Sequence, residues 1–357
     1  MQNVKTPRFY VDYLSFLNTL GGLDAATGDE AALGLNMQPF YRYVEGSGGS
    51  NGSNWVSLKY TSSVPWSRII PTSSGENKVF VAILGHNLKS LGLRFAIHFG
   101  GSTFSTPKEV LNAGVSGLYC YPYMDGASIV TMDEFAGHAA SSSFQLQIYN
   151  PSDSTNTGTL KIGGIAMGVL WDAPHSPDMS LKLGRLYDGV NIQQSIGGSK
   201  FATASYVRAN QAFEMGGAPF ANARTGKRAW NMKFSYVGSS HLMADNELLT
   251  YGADLDGDGA IQADADGTSP DYLHTTDSDG NNVLTSLDDY DFDSTPDFYS
   301  RVVHRTMGGM LPFVFQPDNS NNSPDQFAIA RFNQNAFVYN QVAHNVYDVS
   351  LDIEEEC

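Results

Sequence analysis

The side chains with the most chemical capacity lie in one acidic stretch. In DLDGDGAIQADADG, residues 254–267, the carboxylates of Asp254, Asp256 and Asp258 alternate ahead of Gly259. Hard divalent cations take oxygen ligands at that spacing, with a glycine where the chain must turn sharply. The spacing predicts a loop that binds Ca2+ through Asp254, Asp256 and Asp258, with Asp264 or Asp266 completing the set. The twelfth position, where a bidentate carboxylate would sit, is Ala265, and Asp264 and Asp266 flank it one residue out of register. A solvated acidic loop that keeps particles apart by like-charge repulsion is the competing reading. A second acidic cluster, Asp277 and Asp279 followed by Asp289, Asp291 and Asp293, either completes a shared site or extends the same acidic surface.

Other reactive constellations are weak. Asp133 and Glu134 are adjacent carboxylates outside the acidic stretch and read as a solvated face. General acid–base work needs two convergent carboxyls whose environments separate their pKa values, and adjacency alone does not give that. The Gly-x-Ser-x-Gly string at 48–52 falls in the glycine-rich linker and makes no strand-to-helix elbow, and there is no phosphate-cradling loop ending in Lys-Ser or Lys-Thr and no pair of histidines at i, i+4. Cys120 and Cys357 give neither a disulfide framework nor metal-ligand spacing. The sequence therefore predicts no catalytic residue, and a protein that is not an enzyme.

The elements that must carry these residues read as strands. Of the 357 residues 41% are hydrophobic and 16% charged, so the chain can bury cores, and 36 glycines favour short strands and tight turns over amphipathic helices. Strand signals fall at 56–60, 68–70, 79–84, 93–99, 117–121, 144–149 and 160–170, and again at 201–213, 228–238 and in the last fifty residues. In 144–149, Phe144, Leu146 and Ile148 alternate with Gln145 and Gln147, which predicts one core face and one wet face. The run 162–171, IGGIAMGVLW, lacks alternation and reads as a strand covered on both faces.

The fold expected is all-β: two antiparallel β-sandwich, jelly-roll-like domains with an N-terminal arm and a long acidic insertion. The arm and its glycine-rich linker occupy 1–54, the first sandwich 55–175, and the second β domain 176–357 with the insertion at 245–297. That insertion holds fifteen carboxylates and no Lys or Arg, most of the formal charge of −16. Such a charge repels polyphosphate, which argues against nucleic acid as a partner. Residues 1–20 show no secretory-signal pattern, and no apolar run reaches membrane-spanning length, so no membrane insertion is expected and synthesis is placed in a cytoplasm.

The segment VFVAILGHNLKSLGLRFAI, 79–97, resembles the jelly-roll (galactose-binding-like) domain of tailed-bacteriophage tail and fibre proteins, where an apolar strand enters a Gly-His-Asn-Leu turn and a second strand leaves it. LKIGGIAMG at 160–168 falls where that family has a later strand, and Pro312, Phe313, Phe315, Pro317 and Asp318 are similar to its closing element. The acidic loop in turn resembles the calcium loops of helix-loop-helix and dockerin-type modules, without helices on either side. The phage resemblance implies a structural virion component at the tail tip, or associated with the tail, made in the host cytoplasm. Its expected partners are further copies of itself and other virion proteins. Arg8, Phe9, Tyr10 and Tyr13 are then candidates for contact between subunits. The alternative it implies is a receptor- or glycan-binding module on a fibre or capsid surface, with a host surface glycan as partner. His86 and Asn87, or the alternating Tyr119, Tyr121 and Tyr123, would meet the sugar. From the residues alone, Gly85 permits a tight turn, Asn87 tolerates left-handed backbone and bonds locally, and Leu88 and Leu91 re-enter the core.

Overall fold

The computed structural model describes residues 4–20, 23–27, 42–43, 54–62, 79–99, 102–103, 109–111, 113–116, 119–132, 143–150, 160–186, 190–194, 200–204, 227–243 and 297–356. The strand expected at 68–70, the glycine-rich stretch 46–53, Asp133, Glu134, Cys357 and the whole acidic loop at 254–267 lie outside them.

In chain order the first elements are β1 (Arg8–Asp12), α1 (Tyr13–Leu20), β2 (Leu23–Thr27), β3 (Arg42–Tyr43), β4 (Asn54–Ser62), β5 (Val79–His86), β6 (Arg94–Phe99) and β7 (Ser102–Thr103). Then come β8 (Glu109–Leu111), β9 (Ala113–Ser116), β10 (Tyr119–Pro122), β11 (Gly126–Met132), β12 (Ser143–Tyr149), β13 (Lys161–Ile162) and β14 (Gly164–Asp172). The remainder is β15 (Lys182–Leu186), β16 (Val190–Gln194), β17 (Lys200–Ala204), β18 (Lys227–Gly238), a short helix α2 (Ser239–Leu242), a π-helix (Tyr299–His304), β19 (Phe313–Gln316), a 3-10 turn (Pro324–Gln326), β20 (Ala328–Phe332), β21 (Tyr339–Ala343) and β22 (Val346–Glu355). The protein is all-β and its sheets are antiparallel. No helix among the described residues is long and apolar enough to cross a membrane.

Two large sheets form a sandwich. One has eleven strands in the order β15-β18-β22-β20-β19-β1-β14-β5-β11-β8, with β21 also on β22; the other has seven, β2-β4-β12-β6-β10-β9, with β7 on β6. Their facing side chains share one core: Val79, Val81 and Ile83 of β5 and Ile165, Met167 and Val169 of β14 pack with Leu58, Tyr60, Phe95, Ile97, Phe144, Leu146 and Ile148 of the smaller sheet. The alternation in β12 has the expected result. Phe144, Leu146 and Ile148 are fully buried while Gln145 and Gln147 are half-exposed. β14 is buried along all but its last residue, as a strand without alternation should be. Its far face joins a second cluster with Tyr10, Phe80, Ala82, Leu84, Ile129, Val314 and Ile329.

The division expected at 175/176 does not separate the sheets, because the larger one takes strands from both sides of it. The strand that joins them is β1. It pairs with β14 through Arg8↔Asp172 to Asp12↔Gly168, and on its other edge with β19 through Arg8↔Gln316 to Tyr10↔Val314. All five of its residues are buried. Residues 8–12 are therefore an interior strand and not part of a detached arm, because a strand flanked on both edges can satisfy its backbone only inside the sheet. Phe9 lies within 6 Å of the rings of Trp171, Phe298, Phe313, Phe315 and Phe332, which makes it the centre of the aromatic core of the C-terminal half.

Candidate functional site

His86 and Asn87 sit where β5 leaves its sheet. Gly85 has φ of 60°, the left-handed region open to glycine, and is the extra residue of a bulge, since Leu84 faces Ala127 while His86 faces Gly126. This turns the His86 side chain inward, where it is fully buried. Its Nδ1 accepts from the Leu88 N–H at 3.3 Å, so Nε2 carries the proton and donates to Ser128 Oγ at 2.9 Å. Burial pushes the imidazole down to about 4, with only partial opposition from the charge of Asp125. Asn87 is half-buried and accepts the Lys161 N–H at 2.8 Å, while its own N–H donates to the Lys161 carbonyl. Both residues are thus committed to tying β5, β11 and β13 together. The sugar contact expected of His86 is corrected, because its ring is closed to any ligand from outside. The left-handed residue of the turn is Gly92, at φ of 68°, and not Asn87.

Arg8, Phe9, Tyr10 and Tyr13 are at most 5% exposed. Their expected role between subunits is corrected for the same reason: every one is spent inside its own chain. Arg8 donates to both carboxylate oxygens of Asp172, at 2.5 and 2.8 Å, and Tyr10 donates to Gln316 Oε1 at 2.7 Å. The buried Arg305 guanidinium lies over the Tyr13 and Phe16 rings at 5.1 and 4.9 Å. Between these residues Asp12 caps α1. Its oxygens accept from Leu14 N–H, from Ser15 N–H and Oγ, and from Met167 N–H of β14. Burial pushes its carboxyl up to about 6 against the pull of those bonds.

A further buried pair lies at the other end of the larger sheet. Arg228 Nε and Nη2 meet the two oxygens of Glu355 at 3.1 and 2.9 Å, and the same guanidinium donates to the carbonyls of Asp325 and Phe327. Cys120 is buried in the smaller sheet, and burial pushes its thiol up to about 12, far from the thiolate a nucleophile needs. These groups are cross-links. Among the described residues the cavity lined by Trp171, Phe234, Phe298 and Leu351 is only about 10 Å³ and apolar.

Accessible features lie elsewhere. β15 ends the order of the larger sheet, and all five of its residues are exposed, including Leu183 and Leu186. On β21, Asn340 to Ala343 are exposed. The outer face of the seven-stranded sheet carries a half-exposed polar row. Tyr149 faces Arg94, Gln147 faces Ala96 and Gln145 faces His98 across β12 and β6. On the other side of β6, Cys120 faces Phe95, so Tyr121 lies beside Arg94, and the guanidinium stands 4.2 Å over its ring. Tyr121 therefore belongs to this row, and Tyr123 beyond it is 64% exposed. Sequence reading noticed Tyr121 by its alternation with Tyr123 but missed Arg94, whose partners come from strands 27 and 55 residues away.

Among the described residues these features define an antiparallel all-β sandwich in which the buried polar side chains named above are structural, with accessible side chains at sheet edges and on one outer sheet face. No protein-family model, no curated protein and no solved structure matches the chain.

Proposed function

We propose that the chain is a non-enzymatic structural subunit that assembles by sheet-edge contacts. The setting implied by the resemblance at 79–97 is a tailed-phage virion, at the tail tip or associated with the tail. The observation that supports assembly is β15, a terminal strand exposed at every position. A terminal strand presents backbone hydrogen-bonding groups along its outer edge and is a template for pairing with another chain unless charge or a cover blocks it. Leu183 adds apolar surface to that edge. The partner on this reading is a second copy or another subunit of the same particle.

The test is self-association of the full chain, read by light scattering after gel filtration. Substituting Lys182→Asp together with Leu183→Asp places two carboxylates on the edge of an already acidic chain. Assembly of the parent and loss of it in a folded variant is the expected result; a monomeric parent, or a variant that assembles unchanged, overturns the reading. Immunogold labelling of intact particles tests the setting, with label expected at the tail tip or along the tail.

A further inference from the structure

We infer that the outer face of the seven-stranded sheet is a binding platform for a saccharide bearing a single carboxylate, with Arg94 as the carboxylate-binding residue. The surface is distinct from the β15 edge, so this inference and the assembly reading stand or fall separately.

In a chain of formal charge −16, no carboxylate of the described residues pairs with Arg94, and its one close partner is the Tyr121 ring beneath it. Arg8 and Arg228, by contrast, have carboxylate partners in Asp172 and Glu355. A guanidinium held over a ring is already ordered, and its planar donors match a carboxylate in bidentate geometry. Ring stacking therefore fixes the cation in place without satisfying its hydrogen bonds.

The neighbours fit a hydroxyl-rich ligand. Arg94 is flanked by Tyr121 on one strand and Tyr149 on the other, two rings that can stack on the apolar face of a sugar. The Tyr149 hydroxyl donates to Gln147 Oε1, and His98 lies on the same face of β6 as Arg94. Carboxamides, a phenol and an imidazole on one face offer both donors and acceptors, the mixed set that sugar hydroxyls require. Ala96, between Arg94 and His98 along β6, is buried among the larger side chains of the row. Among the described side chains of this face Arg94 is the cation, and a single cation matches a single carboxylate. A polyanion is disfavoured by the charge of the whole chain.

The test is calorimetric titration of the full chain with two acidic probes, sialyllactose and a glucuronate-terminated disaccharide. Lactose is the neutral control and acetate the control for a carboxylate alone. Binding of at least one acidic saccharide is expected, at least tenfold tighter than lactose or acetate. Arg94→Ala should lower that affinity about tenfold or more, the size of a lost charge-assisted hydrogen bond. Arg94→Lys keeps the charge but not the planar fork, and should fall in between. If Arg94→Ala does not fold, the Arg94→Lys loss carries the comparison. The inference is overturned if neither acidic saccharide binds, if lactose or acetate binds equally well, or if the folded Arg94 variants bind like the parent.

Discussion

Arg228 and Glu355 form a two-pronged ion pair 127 residues apart in sequence, with side chains 4% and 1% exposed. Their strands, β18 and β22, are directly paired, and the Arg228 N–H also donates to Glu355 Oε2. Carbonyls of Asp325 and Phe327 take the remaining donors, so one guanidinium ties β18, β22 and the turn before β20 together. A buried cation so arranged tolerates loss of its carboxylate poorly. Glu355→Ala should lower the unfolding free energy by about 3–5 kcal/mol, because an uncompensated charge remains buried. Glu355→Gln, which keeps an acceptor, should cost less. Urea denaturation of the parent and both variants measures the order.

His86 gives a pH dependence with a definite sign. Its folded value near 4 lies below the ordinary 6.5, so its contribution to stability is present above pH 6.5 and is lost as pH falls through 4. The loss for this one group is about 3 kcal/mol at most. The urea midpoint of the parent should fall more steeply between pH 6.5 and 4 than that of His86→Gln. Equal slopes would mean that the imidazole finds solvent or a counter-charge in the folded chain.

Asp12 has the opposite sign. Its carboxyl is held near 6 against an ordinary 3.8, so its contribution is fully present below pH 3.8 and is lost as pH rises through 6. Asp12→Asn removes that dependence while leaving an oxygen for the α1 cap. Relative to the parent, the variant should gain up to about 3 kcal/mol between pH 3.5 and 7.5, read from denaturation at the two pH values.

Gly168 faces Asp12 in the β1–β14 ladder, and a Cβ there would collide with the Val11 carbonyl and crowd Tyr13. Gly168→Ala should destabilise by about 1–3 kcal/mol or more, through overpacking. Thermal melting of the variant checks it, and an unchanged midpoint would mean that β1 can move away from β14.

The spacing of Asp254, Asp256 and Asp258 carries a separate expectation of Ca2+ binding. Millimolar calcium should raise the melting temperature of the parent and leave an Asp256→Asn, Asp258→Asn double variant unmoved. No response in the parent would leave the stretch as an acidic, solvated loop.

Several elements were legible from local pattern because their cause is local. The alternation of Phe144, Leu146 and Ile148 with Gln145 and Gln147 states which side chains a pleated strand turns inward, and the apolar run in β14 states that both faces are covered. β11 went unread although Ile129, Val130 and Thr131 are β-branched, a signal that could have found it. The bulge at Gly85 was read as a tight turn, since glycine permits both and the register opposite decides between them.

By itself the sequence determined an all-β chain, the inward faces of its clearest strands, and a carboxylate-rich stretch with the spacing of an ion-binding loop. It could do so because strand periodicity and side-chain charge belong to residues taken a few at a time. Only the tertiary structure decided that Arg8, Phe9, Tyr10 and Tyr13 are interior, that His86 bonds Ser128, and that Arg94 lies between Tyr121 and Tyr149. Each depends on which distant strand is the neighbour, and strand pairing across tens to hundreds of residues is set by how the two sheets close over a common core.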